Sequence, residues 1–207
     1  VVKLIKPSFE ILEQLPGLEG MYKQIELAGR TCYKSEDKIT ETSAKEFVDR
    51  MIRSGHGAML EHGTIYLKVP NGRMYRDGAF RNFNKIFTDN LYYRMHSNDE
   101  NIYITTNCRY IIENHLEYWL EYICEPTEYH EKRHTVKFIC DRGVSHEFVR
   151  HRVFSFAQES TRYCNYSKDK FGNEITCILP PWLSEDDIPK GFGYTSDDWG
   201  SLICEFY

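Results

Sequence analysis

Three short apolar segments with the composition of β-strands set the strongest limit on how this chain can fold. They cover residues 64–69, 135–140 and 174–179, and two of them end at the turn sequences Pro70-Asn71-Gly72 and Pro180-Pro181. Short runs rich in β-branched and aromatic residues predict strands, and apolar residues at helical spacing lie between them. We therefore predict an α+β fold in which a mainly antiparallel sheet contains all three strands and carries packed helices.

Helical periodicity predicts helices over residues 20–33, 43–53 and 111–123, and a further helix that begins at Gly143. Thr42 or Ser43 can cap the second of these, and Glu46 lies three residues after Ser43, which is the spacing of a capping box. It ends at Ser54-Gly55, because glycine favours the backbone conformation that closes a helix. We expect this helix to pack on the sheet.

The stretch 71–133 is rich in Asn, Tyr and Arg and has mixed periodicity, although residues 102–106 have strand composition. We interpret it as an insertion within a single domain of residues 1–207, and we expect it to lie at the periphery. Near the end, Ser196-Asp197-Asp198 can cap another helix, which the chain barely begins before Tyr207. We therefore expect the chain to be incomplete at its C-terminus.

Composition argues against several classes of protein. No apolar run approaches the roughly 18 residues that a membrane-spanning helix needs. Residues 1–7 lack the apolar core of a signal peptide, so we expect a cytoplasmic location. The seven cysteines are odd in number, and no two lie within three residues of each other. This distribution is typical of free thiols and not of a disulfide framework or a zinc site built from paired cysteines.

Positive charge is concentrated in one part of the chain. Residues 133–170 contain eight Lys and Arg against four Asp and Glu, whereas the whole chain has a net charge of −5. A protein that grips long nucleic acid requires a broad basic face, so we expect no nucleic-acid partner. A local basic region suits a small anionic ligand such as a nucleotide. An ordinary solvated surface would have the same composition.

The segment 146–163, with the sequence HEFVRHRVFSFAQESTRY, contains the densest set of chemically active side chains. Arg150, His151 and Arg152 are consecutive and would fan out toward different groups from the end of a helix. If the chain is extended after them, Gln158, Ser160 and Arg162 project from one face. An amide, a hydroxyl and a guanidinium in a row can bind an anion and the polar edge of a base. A surface helix end with solvated arginines is an equal alternative from the residues alone.

Three segments of the chain resemble the flavin-dependent thymidylate synthases. Arg150-His151-Arg152, seven further residues and Ser160 form the R-H-R-x7-S signature of that family, and the likeness continues through Arg162-Tyr163. Residues 54–62, with the sequence SGHGAMLEH, are similar to its G-H-x-x-x-x-E-H segment, and residues 28–33, AGRTCY, are similar to its A-x-R-x-[SC]-[FY] segment. The resemblance covers roughly residues 1–70 and 134–207 and leaves 71–133 without a counterpart in compact members.

The resemblance implies a catalytic domain that converts dUMP to dTMP by reductive methylation. It implies FAD as the cofactor, with NADPH and methylenetetrahydrofolate as co-substrates, and a homotetramer whose active sites combine several subunits. Arginine suits such a site, because it keeps its proton while negative charge develops on the pyrimidine and on the reduced flavin. The family's long C-terminal helical part is not present in this sequence.

The site residues follow from the matched positions. The resemblance implies that FAD is contacted by Ala58, Arg150, His151, Arg152 and Gln158. It implies that dUMP is contacted by Glu147, Arg150, Gln158, Glu159, Ser160, Thr161 and Arg162. The residues implied in catalysis are His56, Arg150, Ser160 and Arg162, and no metal site is implied.

Two positions depart from the family pattern. Glu147 stands where the family usually has Gln, and a carboxylate there would repel phosphate. Ala58 stands where the family often has Ser or Thr, so a hydrogen bond to flavin phosphate is lost. Ser160 lacks the G-x-S-x-G turn of a nucleophile, and we interpret it as a hydrogen-bond donor to the nucleotide. His62 fits a structural role in the turn before a strand, and Cys32 matches a position near the flavin but is equally explained as a buried thiol.

A function of a different class is also compatible with the sequence. A non-catalytic nucleotide- or RNA-binding module could retain the arginine pocket without the reaction. The chain contains neither G-x-x-x-x-G-K-[ST] nor G-x-G-x-x-G, which argues against a P-loop or classical dinucleotide-binding enzyme. A flavin-coloured protein would favour the enzyme, and a colourless protein whose RNA affinity rises as salt falls would favour the binding module.

Overall fold

The described residues form two compact units. The computed structural model describes residues 2–76, 92–151, 154–160 and 175–184. Of these, residues 2–10, 136–150 and 175–184 belong to the first unit, and the rest belong to the second. No helix in this described part is long and apolar enough to cross a membrane.

The second unit contains a three-stranded antiparallel sheet with the order β3-β5-β4. Its strands are β3 (Thr64–Pro70), β4 (Arg94–Ser97) and β5 (Asn101–Asn107). The β3–β5 register runs from the pair Thr64 and Asn107 to the pair Pro70 and Asn101. Side chains alternate between the two faces of a strand, and the apolar residues at alternate positions of β3 are buried: Ile65, Leu67 and Val69.

Helices surround this sheet in the second unit. They are α1 (Gly17–Tyr33), α2 (Ser43–Arg53), α3 (Gly57–Leu60), α4 (Asn71–Arg76) and α5 (Cys108–Glu113), with 3-10 helices at Glu36–Lys38 and Glu117–Tyr122. The apolar faces of α1 and α2 join the sheet in one core, which includes Met21, Ile25, Phe47, Val48, Met51, Ile65, Leu67 and Ile104. The predicted bounds of α2 are confirmed, and α2 packs on α1 and α3 within this core.

The start of α2 differs from the predicted capping box. Thr42 occupies the cap position, and its side chain makes no capping hydrogen bond. The Ser43 hydroxyl instead accepts a hydrogen bond from the Thr40 amide and donates one to the Glu26 carboxylate, at 2.9 Å each. The hydroxyl is therefore used to tie α2 to a buried carboxylate of α1.

Residues 101–119 lie in the core, and the prediction of a peripheral position for this part of 71–133 is wrong. Strand β5 is the central strand of its sheet, and Ile104, Ile111 and Trp119 are buried. The predicted strand at 102–106 is confirmed. Mixed periodicity hid this role, because a central strand that is buried on both faces lacks the alternation of an exposed strand.

The single helix predicted over 111–123 is broken in two. Helix α5 ends at Glu113, and His115 adopts a left-handed backbone with φ 56° before the 3-10 helix begins at Glu117. The apolar residues keep the buried positions that their spacing predicts, since Leu116 and Trp119 are both buried.

The first unit contains two small sheets and one helix. Strand β1 (Val2–Ile5) pairs in parallel with β7 (Ile175–Ile178), and β2 (Ser8–Leu12) pairs with β6 (Thr135–Ile139). Helix α6 (Arg142–Phe148) follows β6 and begins at Asp141, whose carboxylate accepts a hydrogen bond from the Gly143 amide.

The three predicted strands therefore exist, but they lie in three different sheets. The single mainly antiparallel sheet is wrong in this respect, because β3, β6 and β7 each pair with a different partner and β7 pairs in parallel. The fold is mixed α and β, with antiparallel pairing in the three-stranded sheet and packed helices. The helix predicted after Ser196 lies outside the described residues.

Replacing Ile104 by Ala tests the core position of β5. Ile104 is fully buried, so we expect Ile104→Ala to reduce the free energy of unfolding by about 2–5 kcal/mol, as large-to-small core changes do. The matched control is Ile11→Ala, whose side chain is 58% exposed and should change stability by about 0.5 kcal/mol or less. Urea denaturation of both variants measures the difference. If both substitutions have equally small effects, the core position of β5 is wrong.

Candidate active site

Residues 154–160 of the signature segment lie beside the other two quoted segments in the second unit. The amide of Ser160 donates a hydrogen bond of 2.9 Å to the carbonyl of Cys32 at the end of α1. Beside this contact, the Lys34 ammonium lies 3.9 Å from the Glu159 carboxylate. The Cys32 and Met59 sulfur atoms are 3.8 Å apart, which joins the end of α1 to α3. Segments that are distant in the chain thus meet around one helix end.

The Glu61 carboxylate links the remaining parts of this region. One of its oxygens accepts a 2.7 Å hydrogen bond from the Ser155 hydroxyl, and the other accepts a 2.6 Å hydrogen bond from the Arg109 guanidinium. Arg109 also donates to Glu113 at 2.7 Å. The Glu61 side chain is only 17% exposed, and hydrogen bonds to an ionised group are stronger than neutral ones, especially away from water.

Gly57 allows α3 to approach Arg109 closely. A Cβ atom at this position would lie 3.0 Å from the Arg109 Nε atom and 3.3 Å from a Glu113 carboxylate oxygen. A larger residue would have to displace the Arg109 or Glu113 side chain by a few tenths of an ångström. Gly57, at the first variable position of the G-H-x-x-x-x-E-H likeness, therefore has a packing reason in this chain.

Two helix ends set the direction of the chain near the site. After α2, Gly55 has φ 69°, its amide bonds the Ile52 carbonyl, and the His56 amide bonds the Met51 carbonyl. This pair of hydrogen bonds is a Schellman ending, for which glycine pays no steric penalty. It confirms the predicted stop of α2 and leaves His56 and Ala58 exposed at the surface.

Helix α1 ends in the same way without a glycine. Lys34 has φ 45°, and the amides of Lys34 and Ser35 bond the carbonyls of Thr31 and Arg30. A non-glycine residue in this conformation is strained, and the Lys34 side chain also lies near the Glu159 carboxylate. Burial raises the pKa of the Glu159 carboxyl, and the Lys34 charge opposes this rise.

His62 is a buried histidine directly before β3. Burial lowers the pKa of its ring below the ordinary value of 6.5, and a hydrogen bond with the Phe156 backbone and the charge of Glu61 oppose this shift. Its Nε2 atom is buried without a hydrogen-bond partner among the described residues. The ring therefore packs against the 154–160 segment in its neutral form, which fits the predicted structural role.

The R-H-R residues fall at the division between the two units. Arg150 follows α6 in the first unit, where its guanidinium is 73% exposed and lies 3.5 Å from the Glu147 carboxylate. His151 belongs to the second unit, where its exposed ring lies near Phe154. An exposed pair such as Arg150 and Glu147 adds little stability, so the guanidinium remains available to an anionic ligand.

The other predicted site residues are placed only in part. Gln158 and Ser160 are half-buried in the 154–160 segment, which contains no helix or strand. Arg152, Thr161 and Arg162 lie outside the described residues. The predicted common face of Gln158, Ser160 and Arg162 therefore stays a prediction, as do the individual roles of all these residues.

The sequence missed the contribution of Arg109 and Ser155. Glu61 was visible in a quoted motif, but its partners lie 48 and 94 residues away in the chain, and no spacing rule connects them. Within the described ranges, no group of His, Cys, Asp and Glu side chains could hold a metal ion. The described cysteines are all free thiols, and burial raises the pKa of Cys108 to about 12, which makes it unreactive at neutral pH.

Comparison with known proteins identifies a family for about half of the chain. The family model described as thymidylate synthase complementing protein, Thy1, matches residues 97–199. This segment contains β5, the Arg109 position and the whole R-H-R-x7-S sequence, whereas the motif segments 28–33 and 54–62 precede it. No curated protein and no solved structure matches the chain.

A double-mutant cycle tests the shared carboxylate. Arg109→Gln and Ser155→Ala each remove one hydrogen bond to Glu61, and each should lower the free energy of unfolding by about 1–2 kcal/mol. Because both bind the same group, their effects should be coupled by about 0.5 kcal/mol or more. In the control cycle, Arg94→Gln replaces Arg109→Gln. It removes the exposed contact with Glu131 and a hydrogen bond to the Tyr93 carbonyl, neither of which involves Glu61, so the two effects should add. Additive effects in both cycles would contradict the joint role of Glu61.

The buried His62 ring predicts an acid-dependent loss of stability. Because its pKa is lower in the folded state, the unfolded chain binds the extra proton first as the pH falls through 6.5. Stability should be complete above this pH and should decline below it, until the folded-state pKa is passed. His62→Gln should make the plot of unfolding free energy against pH shallower between pH 7 and 5. The control His146→Gln changes a solvent-exposed ring of α6 and should keep the wild-type slope.

Proposed function

Because the chain belongs to the thymidylate synthase complementing protein family, the flavin-dependent thymidylate synthases, we propose that the protein methylates dUMP reductively to dTMP. The co-substrates in this proposal are methylenetetrahydrofolate and NADPH, and FAD is the cofactor. The main support from the structure is that residues 154–160 of the signature segment meet the other two motif segments in the second unit, through the Ser160–Cys32 and Ser155–Glu61 hydrogen bonds.

The donor set around these segments fits a flavin and a nucleotide. Arg150 and His151 are exposed, and among the described residues the Arg150 guanidinium forms one exposed ion pair, with Glu147. A guanidinium suits the phosphates of FAD and dUMP and the electron-rich edge of a pyrimidine or flavin ring. When bound, the flavin would supply the hydride that turns the transferred one-carbon unit into a methyl group.

Arg150 is the residue that we assign to charge stabilisation. Activation of the pyrimidine ring for methylation places negative charge on its carbonyl oxygens, and a guanidinium keeps its positive charge at any physiological pH. An interaction that strengthens as this charge develops lowers the barrier and not only the binding constant. In the free protein, Arg150 would pair with Glu147. When the nucleotide binds, its stronger interaction with Arg150 would replace this ion pair.

Ser160 is assigned as a positioning donor to dUMP. Its backbone amide is tied to the Cys32 carbonyl, which fixes where the hydroxyl can reach. No basic side chain in the described part of the chain hydrogen-bonds to this hydroxyl, so nothing there activates it as a nucleophile. Gln158 and Arg162 complete the proposed nucleotide contacts, with Arg162 at the phosphate.

We also propose that the active form is a homotetramer in the cytoplasm. Large apolar side chains are exposed in the isolated chain, including Phe9 at 70%, Phe154 at 66% and Trp182 at 65%. Such side chains are typical of surfaces that a second subunit covers. The free thiols of the described cysteines suit a reducing compartment.

The first test is the colour and activity of the purified full chain. The proposal requires bound flavin absorbance in the visible range and dTMP formation that depends on dUMP, methylenetetrahydrofolate and NADPH. The alternative, a non-catalytic binding module, would be favoured if the protein is colourless, gains no colour with added FAD, and binds RNA more tightly as the salt concentration falls.

Variants at Arg150 and Ser160 separate chemistry from positioning. We expect Arg150→Lys to slow dUMP-dependent flavin oxidation even at saturating dUMP, since an ammonium cannot copy the two-point contact of a guanidinium. Arg53→Lys, on the exposed end of α2, is the matched control and should keep the wild-type rate. Ser160→Ala should weaken dUMP binding by roughly 1 kcal/mol, the typical worth of a hydrogen bond, and should reduce activity without abolishing it. A Ser160→Ala protein that binds flavin and dUMP normally but is inactive would indicate a covalent role.

A further inference from the structure

A cationic groove lies in the second unit between the ends of α1 and α2. Its volume is about 380 Å³, and its lining includes Arg30, Lys38, Arg50, Ser54 and His56. Three of these residues are permanent cations, and the described lining contains no Asp or Glu. All the lining residues lie between positions 30 and 56 of the chain, and none of them belongs to the 154–160 segment.

Arg30 is the structural member of this cation set. Its guanidinium binds the Glu26 carboxylate through two nitrogens at 3.0 and 3.1 Å, and Glu26 is 1% exposed. The charge of Arg30 is therefore largely compensated. Arg30 also lies over the Phe47 ring, with its guanidinium carbon 4.9 Å from the ring centre, so it forms a fixed wall of the groove.

Arg50 and Lys38 have no such compensation. Within the described residues, neither side chain makes an ion pair or a hydrogen bond. The Arg50 guanidinium carbon lies 5.2 Å from the centre of the same Phe47 ring, which orients its planar fork without using its N–H donors. In contrast, Lys45 of α2 and Lys23 of α1 each lie within 3 Å of a carboxylate on their own helix. Arg50 and Lys38 therefore differ from these two lysines in having no carboxylate partner among the described residues.

The electrostatics of this arrangement favour a bound anion. Glu26 compensates Arg30, so the positive potential of the groove comes mainly from Arg50 and Lys38, whose like charges add. A concave site lined by one sign of charge concentrates ligands of the opposite sign. An oxyanion in the groove could accept hydrogen bonds from the guanidinium of Arg50 and from the ammonium group of Lys38. The Ser54 hydroxyl, which also lines the groove, is a further polar group there.

We propose that this groove binds the oxyanionic end of a co-substrate, held mainly by Arg50 and Lys38. The assignment to a co-substrate rests on the proposed function, which places a flavin, a nicotinamide nucleotide and a folate near His56. The shared chemistry is a multiply charged oxyanion. It has two sources: the phosphate groups of a dinucleotide, or the glutamyl carboxylates of the folate.

The experiment measures anion binding to the full chain directly. Inorganic pyrophosphate and, separately, tri-L-glutamate are titrated into the wild-type protein by calorimetry at low salt. We expect one probe to bind and Arg50→Gln and Lys38→Gln each to weaken that binding roughly tenfold, as the loss of a charge-assisted hydrogen bond implies. Higher salt should weaken the wild-type interaction. The matched control Arg53→Gln removes one positive charge from the same helix end outside the groove and should leave the affinity unchanged.

The identity of the stronger probe assigns the source. Tighter binding of pyrophosphate points to a dinucleotide, and tighter binding of tri-L-glutamate points to the folate. The proposal is overturned if neither probe binds, or if Arg53→Gln weakens binding as much as Arg50→Gln does. Arg50→Gln could also disturb the packing on Phe47, and circular dichroism would detect this. In that case Lys38→Gln, which does not touch Phe47 packing, decides the test.

Failure of this inference can be distinguished from failure of the proposed function. Binding of the probes does not require turnover, so a protein without dTMP synthesis could still show an Arg50-dependent anion site. Conversely, suppose that the enzyme is fully active and that neither Arg50→Gln nor Lys38→Gln changes its affinity for the probes. The groove proposal would then be wrong, and the proposed function would stand. In an active enzyme, Arg50→Gln should raise the KM of one co-substrate severalfold and leave the dUMP dependence unchanged.

Discussion

The Glu61 carboxylate holds together the parts of the second unit that carry the candidate site. It receives Arg109 from α5 on one oxygen and Ser155 from the signature segment on the other, while its own backbone follows α3. A carboxylate that is 17% exposed needs such partners, because burying an ion without compensation costs several kcal/mol. The same need makes the geometry specific, since a shift of either segment would leave charge unsatisfied.

This dependence gives the 71–133 stretch a role in the active region. Strand β5 fills the centre of the three-stranded sheet, and the helix that follows it starts at Cys108, one residue before Arg109. The Cys108 amide donates to the Gly63 carbonyl, next to the Glu61-His62 pair. The stretch therefore supplies both core and the cation that organises the motif before β3.

The candidate site and the cationic groove use the first helices in different ways. Around Cys32 and Glu61, the Glu61 carboxylate and the Ser160 amide have hydrogen-bond partners from distant parts of the chain. The Arg50 and Lys38 charges have no partner in the described part of the chain, which favours a bound anion. His56 lies at the boundary of these two regions, because the Schellman ending of α2 turns the chain there. A reaction with several co-substrates would need both kinds of surface next to each other.

The sequence by itself determined the local elements, the candidate residues and the family. Strands at 64–70 and 101–107, the helix at 43–53 and its glycine stop follow from side-chain preferences within a few residues of each other. The R-H-R-x7-S spacing was likewise visible along the chain. Only the tertiary structure decided that β3, β6 and β7 enter three sheets, that β5 is central, and that Arg109 and Ser155 meet at Glu61. Strand partners and buried ion pairs are chosen by the burial and hydrogen-bonding needs of groups far apart in the chain, and these needs have no period that a sequence pattern can display.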